Sequence, residues 1–274
     1  MLDALFAPLT EWTINGLALW AVLLCCCGAF LAALIDAIGG GGGIILLPTY
    51  LMAFSGLPTY YALGTSKTTS SIFTLFSTAR FIKRGYVDWG LCLPGIVLSL
   101  LGSTAGVWLQ HHTPDAALKY MLIAVLPVVA FITLRDKDWP DEPGEISRKK
   151  QLLIVCAAAL IIGMYDGYYG PGTGTFLMMA FIRLAKMDVR HASGCTKVLN
   201  LASNVGSFIS VLRAGYVFLG VGLICAAAGI VGANIGSSLA LKNGSKLVKP
   251  TVVFVLILLC LKVVSEILFP GFWA

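Results

Sequence analysis

The stretch around Asp36 is written a second time around Asp166, at a constant shift of 130 positions, and both copies run through strongly apolar sequence. Asp36, Gly40 and Gly42 recur as Asp166, Gly170 and Gly172, and Ala62, Gly64 and Lys67 recur as Ala192, Gly194 and Lys197. Gly85-Tyr86-Val87 recurs as Gly215-Tyr216-Val217, and the pair Gly102/Gly106 recurs as Gly232/Gly236. Lys119 and Val125 meet Lys249 and Val255, with no gap needed across about ninety residues. Such a chain has to fold as two like halves. Duplicated halves with glycine-broken segments and ionisable residues inside apolar stretches are the pattern of a secondary transporter.

The composition excludes a water-soluble globular domain: 58% of residues are hydrophobic, 12% are charged, and the mean hydropathy is +0.89. The N-terminal residues 1–12 carry Asp3 and Glu11 but no Lys or Arg. They lack the basic start of a cleaved signal peptide, so the first apolar run is expected to be kept as a helix. The cysteines at 25, 26, 27, 92, 156, 195, 225 and 260 lie in or beside apolar runs, form no CxxC pair and read as small hydrophobes. No His or Cys cluster has metal-ligand spacing, and no cofactor signature is present. The net charge of +6 calls for no nucleic-acid partner, because most basic residues sit in short loops where they set membrane orientation.

The polar stretch 135–150 is dense in charge and proline and separates residues 1–134 from residues 151–274. Each half reads as five apolar segments, at 16–37, 44–56, 60–82, 90–110 and 116–134, then at 151–168, 173–186, 190–212, 218–241 and 247–268. The second segment of each half has about thirteen residues, or ~20 Å of helix, too short to cross a bilayer comfortably. It is entered through Gly39–Gly43 in one half and Gly170-Pro171-Gly172-Thr173-Gly174 in the other. Glycine and proline there break the helix and leave backbone N–H groups without intrahelical partners.

Loop charge reverses between the halves. Arg183, Lys186 and Arg190 follow the short segment of the second half, where the first half has no basic residue. Arg80, Lys83 and Arg84 face a lone Arg213, and Lys119 faces Lys242, Lys246 and Lys249. By the positive-inside rule, homologous loops then lie on opposite membrane faces, with the linker cytoplasmic and both termini outside. Five crossings per half satisfy this count, and so do three crossings plus a re-entrant hairpin of the first two segments.

Ionisable groups within the apolar segments are few: Asp36, Lys67, Asp166 and Lys197. Charges at membrane depth are costly and mark sites or pathways. One reading pairs Asp36 with Lys197 and Asp166 with Lys67 as static salt bridges, which contribute little net stability when buried. The other reading sets Lys67 and Lys197 to attract an anion, amid Ser66, Ser70, Thr196, Asn200 and Asn204 on nearby helical positions. Helices starting near Gly42 and Thr173 would add their positive ends as an oxyanion cradle. Asp36 and Asp166 would either cap the broken helices or carry a coupling proton, since desolvation disfavours a charged carboxyl. His111, His112 and His191 fall at segment ends and receive no role.

The block Asp36–Pro48 with its glycine run, Ala62-Leu63-Gly64-Thr65-Ser66-Lys67 and Gly85-Tyr86-Val87-Asp88-Trp89 resemble the TauE/SafE sulfite-exporter family. So do Tyr165-Asp166-Gly167-Tyr168-Tyr169-Gly170-Pro171-Gly172-Thr173-Gly174 and Thr196-Lys197-Val198-Leu199-Asn200. The resemblance implies a bacterial inner-membrane transporter of small sulfur-containing anions such as sulfite or organosulfonates.

The expectation is therefore an all-α polytopic membrane protein of two inverted-topology repeats, with about five helical segments each. Its partners would be a small anion, the lipid bilayer and a coupling proton, with neither cofactor nor metal. The substrate site is expected at Lys67, Lys197, Ser66, Thr196, Asn200, Gly42, Gly172, Thr173 and Gly174, with Asp36 and Asp166 coupling or shaping the breaks. A passive anion channel on the same scaffold is the first rival. An intramembrane enzyme is the second, and no HExxH or GxSxG motif supports it.

Overall fold

Among the described residues, glycines at 40, 85, 215 and 244 follow the ends of four helices with positive φ. The computed structural model describes residues 13–14, 16–54, 57–112 and 142–268. The expected segment 116–134, most of the linker and residues 1–12 lie outside the described residues. Helix α1 (Leu19–Gly39) is followed by α2 (Gly43–Ala53), α3 (Thr59–Lys83) and α4 (Trp89–His112). After the linker come α5 (Arg148–Tyr168), α6 (Thr173–Arg183), α7 (Val189–Arg213), α8 (Leu219–Asn243) and α9 (Ser245–Leu268). Helix α5 takes in Arg148–Lys150, which the sequence reading assigned to the linker. Arg148 is tied there by a two-pronged ion pair to Asp88, both contacts 2.6 Å, which offsets the cost of basic residues at a helix N-terminus. One element had no sequence signal: two-residue strands β1 (Thr13–Ile14) and β2 (Leu17–Ala18) pair antiparallel ahead of α1.

Among the described residues, α1, α4, α5 and α8 are long and apolar enough to cross a membrane. They pack in two pairs, α4 on α5 and α1 on α8. Gly102 and Gly106 seat α4 against the backbone of Leu160 and Met164, while Gly232 and Gly236 seat α8 against Phe30 and Leu34. Small residues allow this close approach where lipid supplies no hydrophobic drive between helices. Both pairs cross the repeat boundary, so the halves interlock.

Helices α3 and α7 are as long but much more polar, and they sit innermost against each other and against α8 and α4. Thr65, Thr69, Thr196 and Ser203 are fully buried. Many of these hydroxyls donate to a carbonyl three or four residues back, as Ser71 does to Lys67 O at 2.7 Å and Ser193 to Val189 O at 2.7 Å. Such bonds let a polar helix be buried without stranding its hydroxyls.

The short helices double back on their predecessors. Thr49 of α2 packs on Gly28 of α1, and Gly42, next to α2's first residue, lies against Ala32 and Asp36. The far end of α2 returns to where α1 began, with Leu17, Ala53 and Phe54 in one apolar cluster. The first two helices thus form a hairpin, and α5 and α6 repeat it.

Candidate functional site

Each hairpin turns at a glycine break, and the two breaks meet. Gly40 (φ 76°) and Gly41 (φ 82°) follow α1, while Gly170 (φ 97°) and Gly172 (φ 87°) precede α6; these are left-handed conformations that L-residues avoid. Gly40 abuts the backbone of Gly174 and Thr175, where an added Cβ would stand 2.6 Å from Thr175 N. Across the same contact, Gly43 faces Pro171. The glycine run is needed because two backbones touch there.

Each break receives a lysine from the opposite half. Lys67 of α3 lies 3.0 Å from Asp166 Oδ1, donates to Asp166 O at 2.7 Å and reaches Asn204 Oδ1 at 3.5 Å. Lys197 of α7 lies 3.0 Å from Asp36 Oδ2 and also donates to Asp36 O. Both aspartates stand near the C-terminal ends of their helices, where the helix dipole also favours a cation. The pairing that the sequence left open is thus present in this conformation.

The two pairs are unequal. The Lys67 side chain is 10% exposed, and that of Lys197 is 0% exposed. Asp36 uses both oxygens, Oδ2 on Lys197 and Oδ1 on the Gly42 amide at 3.4 Å. Asp166 Oδ1 takes Lys67 and the Thr173 hydroxyl, at 2.8 Å for the latter, while Asp166 Oδ2 is buried with no partner. A buried carboxylate oxygen left in this way is unusual and costly.

A small cavity of about 40 Å³ lies beside Lys67 and Asp166. Ser66, Asn200, Thr173, Gly174 and Asp36 also reach its wall. Lys197, Thr196, Gly42 and Gly172 are not on it. Thr196 is fully buried and its Oγ1 has no partner. The helix starts give less to the cavity than expected, because the N–H groups of Ile44, Ile45 and Thr173 already donate to Gly41 O, Gly42 O and Gly170 O.

Five further wall residues had no role in the sequence reading: Leu46, Leu47, Phe73, Thr74 and Tyr169. Thr74 Oγ1 is buried without a partner. It lies seven residues after Lys67 on one helical face and is the repeat counterpart of Asn204, a signal that was available.

The molecule's ends differ in chemistry. At one end Tyr86 meets His191 edge to face, the Arg190 guanidinium stands over the Tyr86 ring, and Gly144 N donates to Lys186 O. This end also gathers Arg80, Lys83, Arg84 and Lys242. There the Arg148 guanidinium, hydrogen bonded to Asp88, holds that carboxyl below its usual range. Asp188 caps α7 through the amides of Arg190 and His191 and contacts His191 Nδ1 at 2.6 Å. The other end is aromatic: Tyr60 lies 4.1 Å from Tyr216 between ring centroids, and Tyr61 stacks on Phe218.

The family model for Sulfite exporter TauE/SafE matches residues 25–263. The chain is similar to "Probable membrane transporter protein ORF9" of Sinorhizobium sp, 34% identical over 81% of this chain and 84% of that protein. A "Probable membrane transporter protein" of Haemophilus influenzae is 32% identical over 81% of this chain and 86% of its own. "Probable membrane transporter protein YfcA" of Escherichia coli is 30% identical over 75% and 76%. No solved structure matches the chain.

Proposed function

Because this chain belongs to the Sulfite exporter TauE/SafE family, we propose that it is a secondary transporter of a small anion, such as sulfite, an organosulfonate or a related sulfur oxyanion. The observation that carries this reading is the Lys67–Asp166 pair at the cavity wall, with Asp166 Oδ2 unpartnered. Two lysines and two aspartates make the buried centre neutral overall. An anion entering alone would leave it negative, at a cost that rises steeply in low dielectric. An anion entering with a proton leaves it neutral: the proton goes to Asp166, and the anion takes the place of the carboxylate at Lys67. The Asn200 amide, and the Ser66 and Thr173 hydroxyls once turned from Leu63 O and Asp166 Oδ1, would then offer donors around the oxyanion.

The recurrence of two cross-half contacts at the same shift supports inverted repeats exchanging roles by alternating access. Lys67–Asp166 mirrors Lys197–Asp36, and Gly64 against Tyr216 O mirrors Gly194 against Tyr86 O. In this conformation Lys67 meets the cavity while Lys197 is sealed, and the exchanged conformation would reverse that assignment. The segregation of basic and aromatic ends supports placing the basic end and the linker in the cytoplasm of an inner-membrane protein, with both termini outside.

The experiment is counterflow into proteoliposomes preloaded with unlabelled anion, run across sulfite, organosulfonates, sulfate and small carboxylates. Saturable exchange of one class, chemically unaltered, is expected. Non-saturating flux without exchange points to a channel, and a changed product points to an enzyme.

A further inference from the structure

Away from the central cavity, a recess of about 620 Å³ opens at the basic end between the last turns of α3 and α8. Arg80, Lys83, Arg84 and Lys242 line it, with Tyr86 and Ser238. Among the described residues none of these four cations pairs with a carboxylate. Arg80 has only neutral partners, donating from Nε to Asn234 Oδ1 at 2.8 Å and from its guanidinium to Ser238 Oγ. Membrane orientation explains why cations collect at this end, but not why those of two helices converge on one concavity with no counter-charge. Arg148, at the same end, is matched by Asp88.

The same helix faces turn apolar toward the membrane interior. Phe76, one turn before Arg80, is 40% exposed, and on α8 Val231 and Ile235 are 53% and 43% exposed. Positions 76, 80 and 83–84 share one face of α3, and 231, 235, 238 and 242 share one face of α8. A soluble anion would need the charges alone. An amphiphile uses both parts.

We infer that this recess binds the phosphodiester headgroup of an anionic phospholipid, with its acyl chains on Phe76, Val231 and Ile235. Lys83, Arg84 and Lys242 surround the phosphate, and Arg80, already fixed to α8, closes its inner side. The lipid would clamp α3, which carries Lys67, to α8.

The test uses the full chain in nanodiscs of phosphatidylcholine, with and without phosphatidylglycerol, read by thermal unfolding and by mass spectrometry of retained lipid. Phosphatidylglycerol should raise the wild-type midpoint and be retained. The K83Q/R84Q/K242Q variant should match the wild-type midpoint in phosphatidylcholine but lose affinity for phosphatidylglycerol by on the order of a hundredfold. Should that variant not fold, R84Q alone is expected to lose about fivefold. Equal responses to the two lipids, undiminished phosphatidylglycerol affinity in the folded variant, or an equal response to inorganic phosphate would each overturn the assignment.

Discussion

Lys67 of one half and Asp166 of the other meet at 3.0 Å beside the central cavity, and the second oxygen of that carboxylate is buried without a partner. Their repeat counterparts, Lys197 and Asp36, meet at the same distance with every carboxylate oxygen engaged. One pair has an unmet bonding need and the other has none. That contrast sets the two pairs apart in this conformation.

If Asp166 carries the coupling proton, Asp166→Asn removes the acid dependence of transport while keeping a side chain able to bond Thr173. Uptake measured against pH at fixed anion concentration should flatten in this variant. A full pH dependence retained in both Asp166→Asn and Asp36→Asn would remove the aspartates from coupling.

The contact between the breaks should tolerate no side chain. Gly40→Ala forces a left-handed alanine and drives its Cβ to 2.6 Å from Thr175 N. A loss of about 2–4 kcal/mol is expected, visible as a lowered thermal midpoint. Gly85→Ala shares a positive φ but has open space around the added Cβ, so only the smaller backbone cost of about 1 kcal/mol should appear there.

Asp88 gives the acid limb of stability a modest component. Its carboxyl is held below the usual range chiefly by the hydrogen-bonded Arg148 guanidinium, so this contribution is present above the unfolded-state value of about 4 and is lost as pH falls through the folded one. With side chains 31% and 55% exposed, the pair should be worth no more than about 1 kcal/mol. Asp88→Asn should therefore lower the midpoint slightly at neutral pH and make no difference at pH well below about 3. Equal destabilisation at both pH values would contradict this.

Orientation follows from the segregation of charge. Single cysteines placed at Lys83, Lys186 and Lys242 in a cysteine-free background should label from the cytoplasmic face, and one at Arg213 from the other. Labelling of positions 83 and 213 from one face would end the inverted-repeat reading.

The breaks were legible in the sequence because glycine and proline leave an unambiguous local signature, and α2 and α6 start within a residue or two of the expected places. Asp36, Lys67, Asp166 and Lys197 were equally plain, since an ionisable group in an apolar run has no cheap alternative. What sequence could not show is depth around a helix axis. Ser66 and Asn200 reach the cavity wall while Thr196 does not, and that depends on rotation of α3 and α7 by a fraction of a turn. The inequality of the two ion pairs has a trace in the sequence: Thr173 and Asn204, which contact Asp166 and Lys67, stand where the first half has Gly43 and Thr74. Helices α3 and α7 also mislead a hydropathy reading, because their polar faces are turned inward and shielded by α1, α4, α5 and α8.

The most direct measurement is sulfite counterflow in proteoliposomes by the double variant Lys67→Met/Asp166→Asn, beside a substrate-free thermal midpoint. Removing both charges leaves no unpaired ion, so the protein should fold with a midpoint near that of the wild type. This folded protein should exchange sulfite only at the background of empty liposomes, because the cation that receives the anion and the carboxyl that takes the proton are both gone. Wild-type exchange by the double variant would mean that the pair is a static bridge and that the anion binds elsewhere.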